Sequence, residues 1–173
     1  MMVRNWFSAV VLWGIFVFIT GCGGQKLPSD LPKLYPTQIE VTADGEKLAG
    51  ATVSLYPIGG GETVGAATDA KGIAHINTRG QYAGAPAGKY KVCVNWTVTV
   101  EGPTSKKPVP TDPGELAKYE RRVADERTTK PVLEPMFRDS AKTPLEVEVV
   151  EGKNILSVEV KLSEEGKKLK AGG

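Results

Sequence analysis

At 173 residues, with 22 basic and 20 acidic side chains, the chain carries a formal charge of +2. That length favours one domain with appendages, and so even a charge balance offers no phosphate-tracking surface, which argues against nucleic-acid binding. Its 20 glycines and 12 prolines suit many short strands joined by turns.

The N-terminus opens with Arg4 and continues in an uncharged apolar run from Trp6 to Thr20. A run of about 15 residues is short for a membrane span and right for a secretory signal. It ends in Ile19-Thr20-Gly21-Cys22, followed by Gly23-Gly24. This segment resembles the lipobox of bacterial lipoproteins. The resemblance implies cleavage between Gly21 and Cys22, residues 1–21 as signal peptide, and a diacylglycerol thioether on Cys22. The chemistry needs small residues before the cut and a thiol after it, and Gly21 and Cys22 meet both needs. An uncleaved signal anchor, or a plain signal peptide with an incidental cysteine, are the alternatives. Removing residues 1–21 removes Arg4 alone among the charged groups and leaves the charge near +1. The expected partner is the membrane, through lipid on Cys22, with several acyl chains giving a firm hold. Gly23 stands where enterobacterial inner-membrane lipoproteins carry aspartate, so the resemblance favours the outer membrane.

Residues 22–36 read as a Pro-rich tether, with Pro28, Pro32 and Pro36 favouring extended backbone or a disordered linker. The body, residues 37–162, has about 130 residues, enough to bury a core without staples. Thr37–Thr42 alternates, with Ile39 and Val41 on one face, and Asp44-Gly45 suits a tight turn. Ala51–Tyr56 alternates until Pro57, and Ile58-Gly59-Gly60-Gly61 is a loop. Val64–Thr68, then Ile73–Asn77 with Ala74 and Ile76 inward, flank a second turn at Asp69–Gly72. Lys89–Val100 reads as one strong strand. Leu145–Val150 and Asn154–Leu162 read as a hairpin around Glu151-Gly152-Lys153. Seven strands with half-buried alternation predict an all-β fold, an antiparallel seven-stranded two-sheet sandwich. Residues 163–173 read as a basic flexible tail.

Asp44-Gly45-Glu46-Lys47-Leu48-Ala49-Gly50-Ala51-Thr52-Val53 resembles the opening of the carboxypeptidase regulatory-like domain, a transthyretin-like (prealbumin-like) sandwich. Thr68-Asp69-Ala70-Lys71-Gly72 resembles its Thr-Asp-x-x-Gly turn, and Gly88-Lys89-Tyr90-Lys91-Val92 its Gly-x-Tyr-x-Val strand. The closing Leu145–Val149 with Gly152-Lys153-Asn154 resembles small bacterial lipoproteins of this type. Two departures stand out: Ala74 replaces an aromatic frequent in the family, and the interval 101–140 is far longer than a hairpin. Within it, Asp112-Pro113-Gly114-Glu115 predicts a helix start. Leu116, Tyr119 and Val123 share one face of a helix of two to three turns ending before Thr128. That insertion either caps the sandwich or meets a partner.

Few residues point to chemistry. With Cys22 lipidated, Cys93 is left without a disulfide partner. Its strand parity with Lys89, Lys91 and Asn95 places it outward or beneath the insertion, where nearby Lys91 is a slight pointer to a reactive thiol. One histidine, His75, argues against a His-rich metal site or a Ser-His-Asp triad. Glycines 59–61 lack the Lys and Ser or Thr of a phosphate loop. The transthyretin-like hydrolases of 5-hydroxyisourate rely on several histidines and a C-terminal Tyr-Arg-Gly-Ser, both missing here. Asn154 is a formal candidate for a Lys–Asn crosslink with Lys47 or Lys33, though a turn role suits it better. No catalytic, cofactor or metal residue is expected. The expected function is a non-enzymatic, lipid-anchored envelope or cell-surface module with a structural or interaction role. The alternative is a carbohydrate- or peptide-binding surface lipoprotein using the 101–140 insertion, with Tyr82, Tyr119 and Phe137 as its partner surface.

Overall fold

The computed structural model describes residues 28–171. In chain order the strands begin with β1 (Leu34–Tyr35), β2 (Thr37–Ala43), β3 (Glu46–Lys47), β4 (Thr52–Pro57) and β5 (Val64–Ala67). There follow β6 (Ile73–His75), β7 (Asn77–Thr78), β8 (Tyr82–Ala83), β9 (Ala85–Pro86), β10 (Gly88–Asn95) and β11 (Thr97–Val100). Helix α1 (Pro113–Glu126) precedes β12 (Thr128–Pro131), β13 (Glu146–Val149), β14 (Asn154–Val160) and helix α2 (Glu164–Ala171). The described residues are mostly strand, arranged in several sheets, and form no barrel.

One sheet has the order β13-β10-β4-β5-β7-β8, and another has β14-β2-β3 with β6 also paired to β2. Two ribbons, β1-β9 and β11-β12, complete the set. Strict alternation builds the core: β2 buries every second residue, and Val53, Leu55, Val92 and Val94 are fully buried in the larger sheet. Both sheets feed one cluster with Ile39, Val41, Val158 and Val160. Each such side chain withdrawn from water contributes about 1.5–3 kcal/mol before entropy is counted. Ala74 and Ile76 are buried on the inward side of their segment.

The turn at Thr68–Gly72 shows why those residue types sit there. The Thr68 hydroxyl donates to Leu48 O at 2.6 Å and accepts from Ala51 N–H at 2.8 Å. Asp69 Oδ1 accepts from the N–H groups of Lys71 and Ile73, which close the turn. Gly72 holds φ +75°, and a side chain there would press on Lys47 Cβ and Val41 O.

Several expectations are corrected. The sheets are not wholly antiparallel, because β14 runs parallel to β2 along its whole length, Asn154↔Thr37 to Val160↔Ala43. Strands β13 and β14 are therefore not a hairpin: β13 pairs with β10, and the chain crosses to the other sheet through Val150–Lys153. Asn154 makes that crossing compact by accepting from Val150 N–H and donating to the carbonyls of Val150 and Gly152. Its amide is thus committed to the turn, and Lys47 pairs with Glu40. The long strand breaks at Trp96, whose carbonyl accepts from Val132 N–H while β11 leaves to pair with β12.

Among the described residues there are two α-helices, not one, and α1 has 14 residues, longer than predicted. Its start is as read: Asp112 caps Gly114 and Glu115 N–H groups, with Pro113 at the first position. The segment 163–173 is not a flexible tail over its described part. Helix α2 covers 164–171, with Gly166 against the Val132 backbone, Leu169 packed on the core, and Lys130 paired to Glu165. The tether also ends sooner than residue 36, since β1 pairs with β9 and Tyr35 is buried.

Candidate functional site

Gly21 and Cys22, the expected cleavage and lipidation positions, lie outside the described residues. The three aromatics expected to form a partner surface do not come together. Phe137 is 5% exposed and belongs to the core, held there by the 3₁₀ turn Pro135–Arg138. Tyr119 lies on α1 and directs its hydroxyl at the carbonyls of Ser105 and Lys107. Tyr82 sits on β8, at the far edge of the larger sheet from β10 and β13. An aromatic trio spaced over 55 residues has no local physics that would gather it.

The 101–140 insertion divides into two parts with different physics. Val132, Leu133 and Phe137 complete the core, while the stretch from Thr97 to Pro131 forms an arm. The arm consists of the β11-β12 ribbon, a 3₁₀ turn at Pro103–Lys106 and α1, which has no buried residue. Leu116, Tyr119 and Val123 do share a face and are half-buried, against the arm's own turn. The clasp is a pair of hydrogen bonds to a carboxylate: Glu126 accepts from the Thr104 N–H at 2.8 Å and from its hydroxyl at 2.7 Å. Those bonds hold the Glu126 carboxyl below its ordinary pKa, with Lys107 and Arg122 adding to the effect. Gly102 is required beside it, because a side chain there would collide with Glu126.

Cys93 lies beneath the Pro135–Arg138 turn and is 6% exposed. Burial pushes its thiol pKa up and Asp139 adds to the shift, so the thiolate is disfavoured. Lys91, the residue that hinted at activation, is paired with Glu146 at 2.6 Å instead. His75 is on the surface, with Nδ1 3.3 Å from Gln38 Nε2. No group of three or more potential metal ligands occurs among the described residues.

A cleft of about 400 Å³ lies where the tether meets the body. Leu31, Pro57, Ile58 and Val64 supply apolar wall, and Asp30, Glu62 and Arg79 form its ionic rim. Arg79 Nη2 is 2.9 Å from Asp30 Oδ2, and its Nε donates to Glu62 Oε2 at 3.0 Å. The Arg79 hydrogen bond holds Asp30 below the usual carboxylate range, and the two acids raise Arg79 in turn. Arg79 also has φ +53°, a left-handed backbone uncommon for a side chain of this size. The hydroxyls lining the cleft are engaged: Thr78 donates to Gly84 O and Tyr90 to Pro86 O. The cleft thus joins an apolar wall to an ionic rim whose Asp30, Glu62 and Arg79 pair with one another. Sequence reasoning missed this rim because Asp30, Glu62 and Arg79 are far apart in the chain and belong to no motif.

Comparison with protein-family models, with curated proteins and with solved structures finds no match.

Proposed function

We propose that the chain is a non-enzymatic, lipid-anchored module of the bacterial cell envelope that presents the 97–131 arm to a protein partner. In this reading residues 1–21 are a cleaved signal, Cys22 carries the lipid, and the protein faces the periplasm or exterior, at the outer membrane in preference to the inner. The β-body is a transthyretin-like sandwich of the carboxypeptidase regulatory-like kind, its seven principal strands being β2, β4, β5, β6, β10, β13 and β14. The motifs at 44–53, 68–72 and 88–92 support that kinship through the turn and strand roles they play.

The observation that carries the interaction role is the arm itself. A 14-residue helix without a buried residue contributes little to the core, yet it is held in one shape by Glu126 and Thr104. Order without a role in the core is expected of a surface kept ready for contact. The non-enzymatic reading is supported by the engaged hydroxyls of Thr78 and Tyr90 and the protonated, covered thiol of Cys93.

The alternative, a peptide- or glycan-binding lipoprotein, shifts from the aromatic trio to a recess of about 190 Å³ between α1 and the preceding loop. Lys107, Tyr119 and Arg122 line it beside Lys118, which pairs with Glu115, a net basic lining that suits an acidic ligand.

Two measurements test the proposal. Cys22→Ala abolishes metabolic labelling by a fatty acid; retained labelling overturns the anchor. Photocrosslinking in cells from arm positions 118 and 121 captures an envelope protein that position 71, on the Asp69–Gly72 turn, does not. Equal capture from both regions, or none from the arm, overturns the interaction role.

A further inference from the structure

Strand register sorts the loops of the β-body into two ends. Parallel β2 and β14 both start at one end, where Asn154 N–H donates to Pro36 O. Antiparallel pairing brings Pro57 opposite Tyr90 and Gly88 opposite Val149, so Ile58 and Val150 emerge at that end too. Ile58 N–H donates to Lys89 O, and strand spacing of about 4.8 Å places Ile58 and Val150 roughly 10 Å apart across β10. The opposite end carries the Asp44-Gly45 turn, the Asp69–Gly72 turn and the root of the arm after Asn95.

The first end is unusually apolar at its tips. Ile58 is 50% exposed, Val150 55% and Ile155 71%, half of the large hydrophobic residues that the described surface exposes. Exposed Lys33, Lys89 and Lys153 lie at this end, together with the exposed acids Asp30, Glu62 and Glu151, of which Asp30 and Glu62 are paired with Arg79. The tether enters here as well: Asp30 is locked to Arg79, Leu31 N–H donates to Pro28 O, and β1 pairs with β9.

We infer that this end of the β-body docks on the phospholipid bilayer that holds Cys22, with Ile58, Val150 and Ile155 at the interface and the arm turned away from it. The inference rests on the lipoprotein reading and adds an orientation to it. From Cys22 to Pro28 the chain advances six residues, a reach of at most roughly 20 Å. The β1-β9 pairing, with the Arg79–Asp30 pair beside it, holds residues 30–36 against the body, so that they do not lengthen that leash. A body held so close meets the headgroups with the face from which its tether leaves. Apolar tips enter the headgroup boundary while flanking lysines extend toward lipid phosphates. The same geometry carries the arm to the far side, where a partner can reach it.

The test uses the full mature chain reconstituted in phosphatidylethanolamine–phosphatidylglycerol vesicles, in a Cys93→Ala background whose melting transition confirms folding. An environment-sensitive fluorophore is attached in turn at Ile58→Cys, Val150→Cys, Ile155→Cys and Lys118→Cys. Nitroxide-labelled lipids are expected to quench the first three and leave the probe at 118 bright. Mass spectrometry of the N-terminal peptide from the same sample reports the lipid on Cys22. Lipidated protein without quenching at 58, 150 and 155 overturns the docking alone. Crosslinks between protomers through those positions make the occupant a second copy, and overturn it equally. Quenching at 118 in place of the other three reverses the orientation and overturns it. An unmodified Cys22 removes the lipoprotein reading together with the inference.

Discussion

The Glu126 carboxylate binds both polar groups of Thr104, its backbone N–H at 2.8 Å and its hydroxyl at 2.7 Å, and so ties the last turn of α1 to the start of the arm. Because α1 has no buried residue, these two bonds, the half-buried Leu116, Tyr119 and Val123, and the Tyr119 hydroxyl hold the helix to the turn, while the β11-β12 ribbon forms the arm's base. Replacing Glu126 by Ala is expected to speed amide exchange across 103–107 and 113–126. The exchange of β10 and β4 stays unchanged, since Glu126 and the helix that carries it contribute no residue to the core cluster.

The same clasp responds to pH with a definite sign. The folded pKa of Glu126 lies below its ordinary value, so its contribution is present above that value and is lost as pH falls through the folded pKa. Protection of the arm amides, corrected for the intrinsic pH dependence of exchange, therefore falls in the wild type as pH drops through that depressed pKa. In Glu126→Gln that acid-dependent step is absent.

Thr68 is 5% exposed, and its hydroxyl joins Leu48 O to Ala51 N–H. Thr68→Val keeps the shape and leaves both backbone groups without their partner. The expected cost is about 1–3 kcal/mol, read from denaturant unfolding. An unchanged unfolding midpoint would show that water replaces the hydroxyl.

Gly166 faces the Val132 backbone so closely that a methyl group does not fit. Gly166→Ala would stabilise an isolated helix by up to about 1 kcal/mol through propensity. Here the contact reverses the sign, and a net loss of about 1–3 kcal/mol is expected from overpacking. The melting temperature decides between the two effects.

Arg79 holds residue 30 to the body through its pairs with Asp30 and Glu62. Arg79→Gly relaxes the left-handed backbone and removes both pairs at once. Global stability is expected to change little, while tryptic cleavage after Lys33 becomes faster. Cleavage at the wild-type rate would mean that the β1-β9 pairing alone fixes the tether.

The principal strands were legible in the sequence because period-two alternation and Gly, Asp or Pro punctuation are local signals. Ile39 and Val41, Val53 and Leu55, and Val158 and Val160 are inward by both readings. The turn chemistry of Thr68-Asp69 and the Asp112-Pro113 helix start were legible for the same reason. Pairing partners were not. Glu151-Gly152-Lys153 has the look of a hairpin turn, yet β14 gains seven parallel partners along β2, and no short-range signal marks that choice. Helix α2 was read as a tail because its charged sequence shows little apolar periodicity; Gly166 and Leu169 order it only through the surface they meet.

By itself, then, the sequence determined the alternating strands, their turns, the start of α1 and the lipobox-like segment ending at Cys22, all of them properties of neighbouring residues. Tertiary structure alone decided that Asp30, Glu62 and Arg79 share a rim, that Phe137 is core while Tyr119 stands on an arm, and that Ile58, Val150 and Ile155 share one end. Such groupings join residues tens of positions apart, and only the register of paired strands brings them within reach of one another.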